Sequence, residues 1–210
     1  MKDKSTFHLL GRRSTLLLPM ALLLGIGEGP PVAAANRLET AVFAGGCFWG
    51  VEGVFEHVKG VSDVVSGYAG GTPAFGRSGG QRVGFVEAVR ISFDPAQISY
   101  NQLLDIFALV AHDPTEVNRQ GPDIGPQYRS AIFPQNAQQR QAAAQFLEQL
   151  RASGRFKRPV ATRIESGRFE LAERDHQDYM RKHPDARYVV VNDLPKLAEL
   201  QRTYPQVWRE

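Results

Sequence analysis

The chain has 210 residues, 42 % of them apolar and 22 % charged, a formal net charge of +3 and a single cysteine, Cys47. That size suits one compact domain with enough core to fold without staples, and a lone cysteine excludes an internal disulfide framework. Lys2, Lys4, Arg12 and Arg13 against Asp3 and Glu28 put a net +2 in the first 35 residues, leaving +1 for the rest, which argues against a nucleic-acid surface.

In chain order, residues 1–35 read as a cleavable export signal. A basic stretch precedes an apolar run over 16–26, centred on Leu16, Leu17, Leu18, Leu22, Leu23 and Leu24, and Val32-Ala33-Ala34-Ala35 supplies the small residues of a cleavage site. The run is shorter than the roughly 20 apolar residues of a spanning helix and Pro19 interrupts it, so no stable membrane insertion is expected. Arg12-Arg13 suggests the twin-arginine route, but Thr15 stands where a bulky apolar residue is usual, so the general secretory route stays open. The expected product is an exported, periplasmic protein, a monomer with one domain over 36–210. In that oxidising setting Cys47 must be buried, pair with another molecule, or react.

Residues 39–43 form a short apolar strand that runs into Gly45-Gly46-Cys47. Phe48, Val51, Val54, Phe55 and Val58 then recur at helical spacing, predicting a helix that ends near Gly60. A second strand over 63–68 leads to a glycine-rich loop over 70–84. Residues 85–93 alternate, with Val86, Ala88, Arg90 and Ser92 on one face and Phe85, Glu87, Val89, Ile91 and Phe93 on the other, so Glu87 points with the apolar set. Ser99 caps a helix over 100–110, a polar loop spans 112–127, a strand covers 129–133, a long helix 135–152 and a further strand 160–165. These elements point to an α/β (α+β) fold, a mixed β-sheet with packed helices. The expected arrangement is a ferredoxin-like two-layer core with an irregular C-terminal tail from Ala172.

A thiol between a double glycine and a helix start sits beside free N–H groups at the positive end of the helix dipole, which favours the reactive thiolate. The glycines allow a tight turn and leave room above the sulfur, and Phe48 and Trp49 either bring apolar surface to that mouth or belong to the core. Glu87, buried, would have its pKa raised and become a proton donor near neutral pH; the alternative is an ion pair with Arg82 or Arg129.

Gly46-Cys47-Phe48-Trp49-Gly50 resembles the active-site motif of the A-type peptide-methionine sulfoxide reductases. The likeness continues through Gly67-Tyr68-Ala69-Gly70-Gly71, Gly84 with Glu87, His112-Asp113-Pro114-Thr115, residues 118–125, residues 127–132 and His176-Gln177-Asp178-Tyr179. The resemblance implies that Cys47 attacks the sulfoxide sulfur, Glu87 protonates the departing oxygen, and Phe48 and Trp49 hold the methyl group. It also implies that Asp123 and Tyr128 are polar partners of the substrate, and that the S epimer, free or in damaged proteins, is repaired. Cys47 then becomes a sulfenic acid. Tyr68 either lines the site or ends a strand. The chain departs from the family at Phe75, where a tyrosine is usual, at Val83-Gly84-Phe85-Val86-Glu87, and in a shorter loop after Gly71; the missing hydroxyl at position 75 implies a slower reaction. With no resolving cysteine, no intramolecular disulfide follows, and an external thiol of the thioredoxin, glutaredoxin or glutathione kind must regenerate Cys47. No bound cofactor and no metal are expected, since no histidine has ligand-like spacing to another ligand.

Two other functions fit the same residues: a Cys-His hydrolase with His176 or His112 as base, and a protein that binds sulfoxide peptides without turning them over. His112-Asp113-Pro114 and His176-Gln177 read instead as hydrogen-bonding anchors.

Overall fold

The computed structural model describes residues 38–71, 77–78, 81–82 and 84–210; the leader, Phe75 and Val83 lie outside them. The elements in order are β1 (Glu39–Gly45), α1 (Phe48–Glu56), β2 (Val61–Gly70), β3 (Arg77–Ser78), β4 (Gln81–Arg82), β5 (Phe85–Phe93), α2 (Tyr100–Ile106), β6 (Arg119–Gln120), β7 (Asp123–Ile124), β8 (Ser130–Ile132), α3 (Ala137–Ala152), β9 (Arg163–Ile164), β10 (Arg168–Leu171), α4 (Tyr179–Lys182) and α5 (Leu194–Thr203).

Six strands form one sheet in the order β10-β2-β5-β1-β8-β9, and β3–β4 and β6–β7 are small separate ladders. All neighbours in the large sheet are antiparallel except β8 and β9. The succession β1-α1-β2-β5-α2-β8, with strands in space as β2-β5-β1-β8, is the split β-α-β arrangement of ferredoxin-like folds. The expected fold class therefore holds, with β9 and β10 added at the edges. β1 is central because Ala41, Val42, Phe43 and Ala44 bury both of its faces. On the helical side Phe43 stacks on Phe107 at 4.8 Å and meets Phe55 at 5.8 Å and Tyr100 at 5.9 Å, so one ring ties β1 to α1 and α2.

Ser99 caps α2 through a full capping box with Gln102, as the sequence predicts, but after Ile106 the helix widens into a π turn over Phe107–Ala111. α1 stops at Glu56, before the Gly60 expected, and α3 starts at Ala137 because Asn136 accepts the Gln139 N–H at 2.8 Å. The strand expected over 160–165 shrinks to Arg163–Ile164, since the Ala161 N–H is given to Pro114 O at 2.7 Å instead of a ladder. β10, just before the tail, adds a strand to the sheet edge, and the tail from Ala172 is less irregular than expected, since it holds α4 and α5, which pack on α1.

Candidate active site

β1 delivers the chain to Gly46, whose φ of +90° turns it left-handed, and Cys47 follows as the N-cap of α1. The room around both glycines is filled by the protein itself, not left for a ligand as the sequence suggests. A methyl group on Gly45 would lie 2.9 Å from the Phe107 ring, and one on Gly46 would lie 2.4 Å from the Gln120 stem. Gln120 is fixed there because its amide exchanges two 3.0 Å bonds with the Asp113 backbone. Gly50, one turn into α1, has the same requirement: a methyl would fall 2.1 Å from Asp193 Oδ1 and 2.6 Å from Lys196 Nζ.

Glu87 lies on the helical face of β5, on the side the alternation predicts. Its Oε2 accepts the Phe48 N–H at 3.2 Å, at the first residue after Cys47. Burial pushes the Glu87 carboxyl up to about 7; the Phe48 N–H draws it down and the Asp123 charge pushes it up again. Arg129 is not its partner: the Nε and Nη2 of that guanidinium go to Glu165, at 2.8 and 2.7 Å, and Nη1 to Pro126 O at 3.0 Å.

The thiolate expected at the helix start is opposed by the folded surroundings of Cys47. Burial first, then the Glu87 charge and more weakly Asp193, hold the Cys47 thiol well above the ordinary cysteine range, outweighing the backbone N–H of Trp49 and the Tyr188 hydroxyl that act the other way. Cys47 is 8 % exposed, so the dipole acts on a thiol nearly removed from water. Tyr188 joins two parts of the site, its hydroxyl donating to Asp123 Oδ2 and its ring meeting Trp49 edge-on beside Cys47. Tyr128 is raised to about 12, by burial first and then by Glu87, Asp123 and Cys47, so it keeps its proton as a hydrogen-bond donor.

An aromatic wall rises beside the sulfur. Trp49 stacks on Tyr179 at 3.6 Å, meets Tyr188 edge-on at 5.7 Å and donates its Nε1–H to His176 Nδ1 at 3.3 Å. Phe48 is buried below it, against Tyr68 at 5.6 Å and His176 at 5.2 Å. Tyr68 pairs with Glu87 in the β2–β5 register, which puts both on the same face.

A thiol, a carboxyl that holds its proton to about neutral pH, two hydroxyl groups and an apolar wall suit attack on a polar sulfur–oxygen group. The family model for peptide methionine sulfoxide reductase matches residues 39–207. The chain belongs to this family. It is 48 % identical over 181 residues to peptide methionine sulfoxide reductase MsrA 2 of Mesorhizobium japonicum, covering 84 % of this chain and 93 % of that one. It is 46 % identical to the MsrA of Deinococcus radiodurans, over 84 % of this chain and 86 % of that one. Among solved structures it is similar to reduced Mxr1 of Saccharomyces cerevisiae, with a TM-score of 0.62 and 29 % identity over 71 % of this chain and 88 % of that one. It is also similar to methionine sulfoxide reductase A of Corynebacterium diphtheriae, with a TM-score of 0.57 and 30 % identity over 72 % and 77 %.

In this methionine sulfoxide reductase fold, Cys47, Glu87, Asp123 and Tyr128, singled out in the sequence, converge on one place, with Trp49 and Tyr68 on its wall and Phe48 in its floor. Phe75 lies outside the described residues. The hydrolase reading loses its base. His112 is buried with its nitrogens bonded to Phe107 O and Ser130 Oγ at 2.7 Å each, His176 accepts from Trp49, and among the described residues no hydrogen bond joins either to Cys47. Both are anchors, as is Gln177, which bonds the Ser66 N–H and carbonyl at 2.9 Å each. Tyr188, Tyr179 and Asp193 were not legible as site residues. They come from the tail, where no periodic pattern separates a site residue from a surface one.

Proposed function

We propose that the chain reduces the S epimer of methionine sulfoxide, free or within proteins, by direct attack of Cys47 on the sulfoxide sulfur. The observation that carries this reading is Glu87: a carboxyl raised to about 7, bonded to the backbone N–H next to Cys47. Sulfoxide oxygen departs poorly unless protonated, and Glu87 in its acid form supplies that proton. While Glu87 keeps its proton it carries no charge to oppose ionisation of Cys47, and the charge returns only as the proton passes to the sulfoxide oxygen. Tyr128 keeps its proton and donates a hydrogen bond to the oxygen, and Trp49 shields the methyl group.

The step balances. The Cys47 sulfur bonds the sulfoxide sulfur as the protonated S–O bond breaks, and the departed oxygen then attacks Cys47 Sγ, breaking the S–S bond and releasing methionine; two electrons pass from the thiol to the sulfoxide sulfur, and the thiol proton replaces the one Glu87 lent. The products are methionine and Cys47 sulfenic acid. Cys47 is the only cysteine in the chain, so two equivalents of an external thiol of the thioredoxin, glutaredoxin or glutathione kind return it to the thiol, releasing water and a disulfide. The basic, apolar and small-residue succession in residues 1–35 supports export, so that the repair would take place in the periplasm.

Incubating the chain and its Cys47→Ser variant with separate S and R sulfoxide peptides and dithiothreitol tests the assignment. The S peptide is reduced by the parent chain alone; equal inactivity of both proteins would overturn it. Amino-terminal sequencing of protein recovered from a periplasmic fraction tests the leader, with Asn36 as the expected first residue.

A further inference from the structure

We propose that the cavity beside Asp123 and Tyr188 binds the apolar side chain of the residue next to methionine sulfoxide in a peptide substrate. The cavity has a volume of about 360 Å³, and Pro122 and Val191 form its apolar sides. Asp123 and Tyr188 belong both to this cavity and to the cluster around Cys47, where Tyr188 meets the Trp49 ring at 5.7 Å, so the two spaces share a wall. In a peptide, the neighbouring Cα lies about 3.8 Å from that of the sulfoxide residue. A side chain one position away therefore reaches across the shared wall while the sulfoxide faces Cys47.

Arg187 and Asn192 complete the lining, and exposed apolar residues lie close by in the chain. Of the seven exposed large apolar residues among those described, Ile124, Val190, Val191 and Leu194 adjoin Asp123 or follow Tyr188 in the chain. The Asp123–Tyr188 bond holds these two segments together. Val191 is the one of these apolar residues that lines the cavity itself, an exposed apolar group at a site shared with Asp123 and Tyr188. A free amino acid, ending in charged amino and carboxyl groups, gains nothing from such walls; a peptide with a leucine or phenylalanine beside the sulfoxide does. This inference rests on the reductase reading and extends it to which sulfoxides are repaired first.

The test is competition. Two blocked S sulfoxide peptides, one with leucine and one with serine beside the sulfoxide, are mixed and their products measured in a single turnover without reductant, with the neighbour placed on either side in turn. The product ratio is independent of how much enzyme is active. The parent chain favours leucine about tenfold on at least one side, and Val191→Asp brings that ratio below about twofold. A ratio near one in the parent chain, or a ratio that Val191→Asp leaves unchanged, overturns the inference. So does an unchanged ratio combined with slower regeneration by a thioredoxin-like protein, which would assign the cavity to the reductant. Absence of product from every peptide would instead overturn the reductase reading itself.

Discussion

The backbone N–H of Phe48 donates to Glu87 Oε2 at 3.2 Å, joining the first turn of α1 to the middle of β5 across 39 residues of sequence. This bond sets the acid beside the nucleophile and leaves the carboxyl, at about 7, able to carry its proton at physiological pH. Because burial raises the group, the proton-bearing form dominates below about 7 and is lost above it. The single-turnover rate of sulfoxide reduction is expected to fall through that pH, and Glu87→Gln to reduce kcat/KM about 10²- to 10⁴-fold and remove the step from the profile. Rates measured from pH 5 to 9 check this; a Glu87→Gln enzyme that keeps both the rate and the pH step would sink the acid role.

Glu87 was legible because strand alternation places it among Val89, Ile91 and Phe93, and a carboxylate on that face demands a partner or a proton. Cys47 was legible from the glycine turn and the helix that follows. What the sequence did not reveal was the balance of forces on the thiol, since the dipole of α1 is visible in the sequence whereas burial and the charges of Glu87 and Asp193 exist only after folding. Tyr188 and Asp193 stayed hidden for the same reason. The room read above Gly45 and Gly46 was misread because Phe107 and Gln120, which claim that space, lie far along the chain.

Gly50→Ala tests a space claimed in the same way. The added methyl cannot coexist with Asp193 Oδ1 at 2.1 Å, and Asp193 is fully buried and paired with Lys196 at 3.1 Å, so α1 or the Asp193 turn must shift. The expected loss is about 1–3 kcal/mol in denaturant unfolding, together with lower activity as Cys47 moves. A stable and fully active Gly50→Ala protein would contradict this packing.

Trp49 gives a separable prediction. Its ring stacks on Tyr179 at 3.6 Å and offers an apolar face to the substrate methyl group. Trp49→Ala is expected to lower kcat/KM about 10- to 100-fold, in line with about 1.5–3 kcal/mol for a lost large apolar contact, mostly through KM. Trp49→Phe should retain most of it. Steady-state kinetics on a single blocked substrate decide the matter, and equal losses in both variants would assign the effect to the Nε1–H bond to His176 instead of the wall.

His112 carries a pH dependence of stability. Burial lowers its pKa to about 4, against an ordinary value of 6.5. Above 6.5 the ring is neutral in both folded and unfolded chains. As pH falls below that value the unfolded chain takes up a proton that the folded one refuses, so this contribution is lost progressively down to about pH 4, on the order of 3 kcal/mol in total. Nuclear magnetic resonance of the ring protons should show His112 neutral to near pH 4, and the stability difference between the parent chain and His112→Asn should shrink over the same interval. A ring that titrates near 6.5 would refute the burial argument.

The most direct test of the account takes Cys47 alone. The chain is mixed with one equivalent of an S methionine sulfoxide peptide in the absence of any thiol, and both protein and peptide are examined by mass spectrometry. The account predicts one equivalent of reduced peptide and one oxygen added at Cys47. Reduced peptide alongside an unmodified Cys47, or no reduced peptide at all, would contradict it.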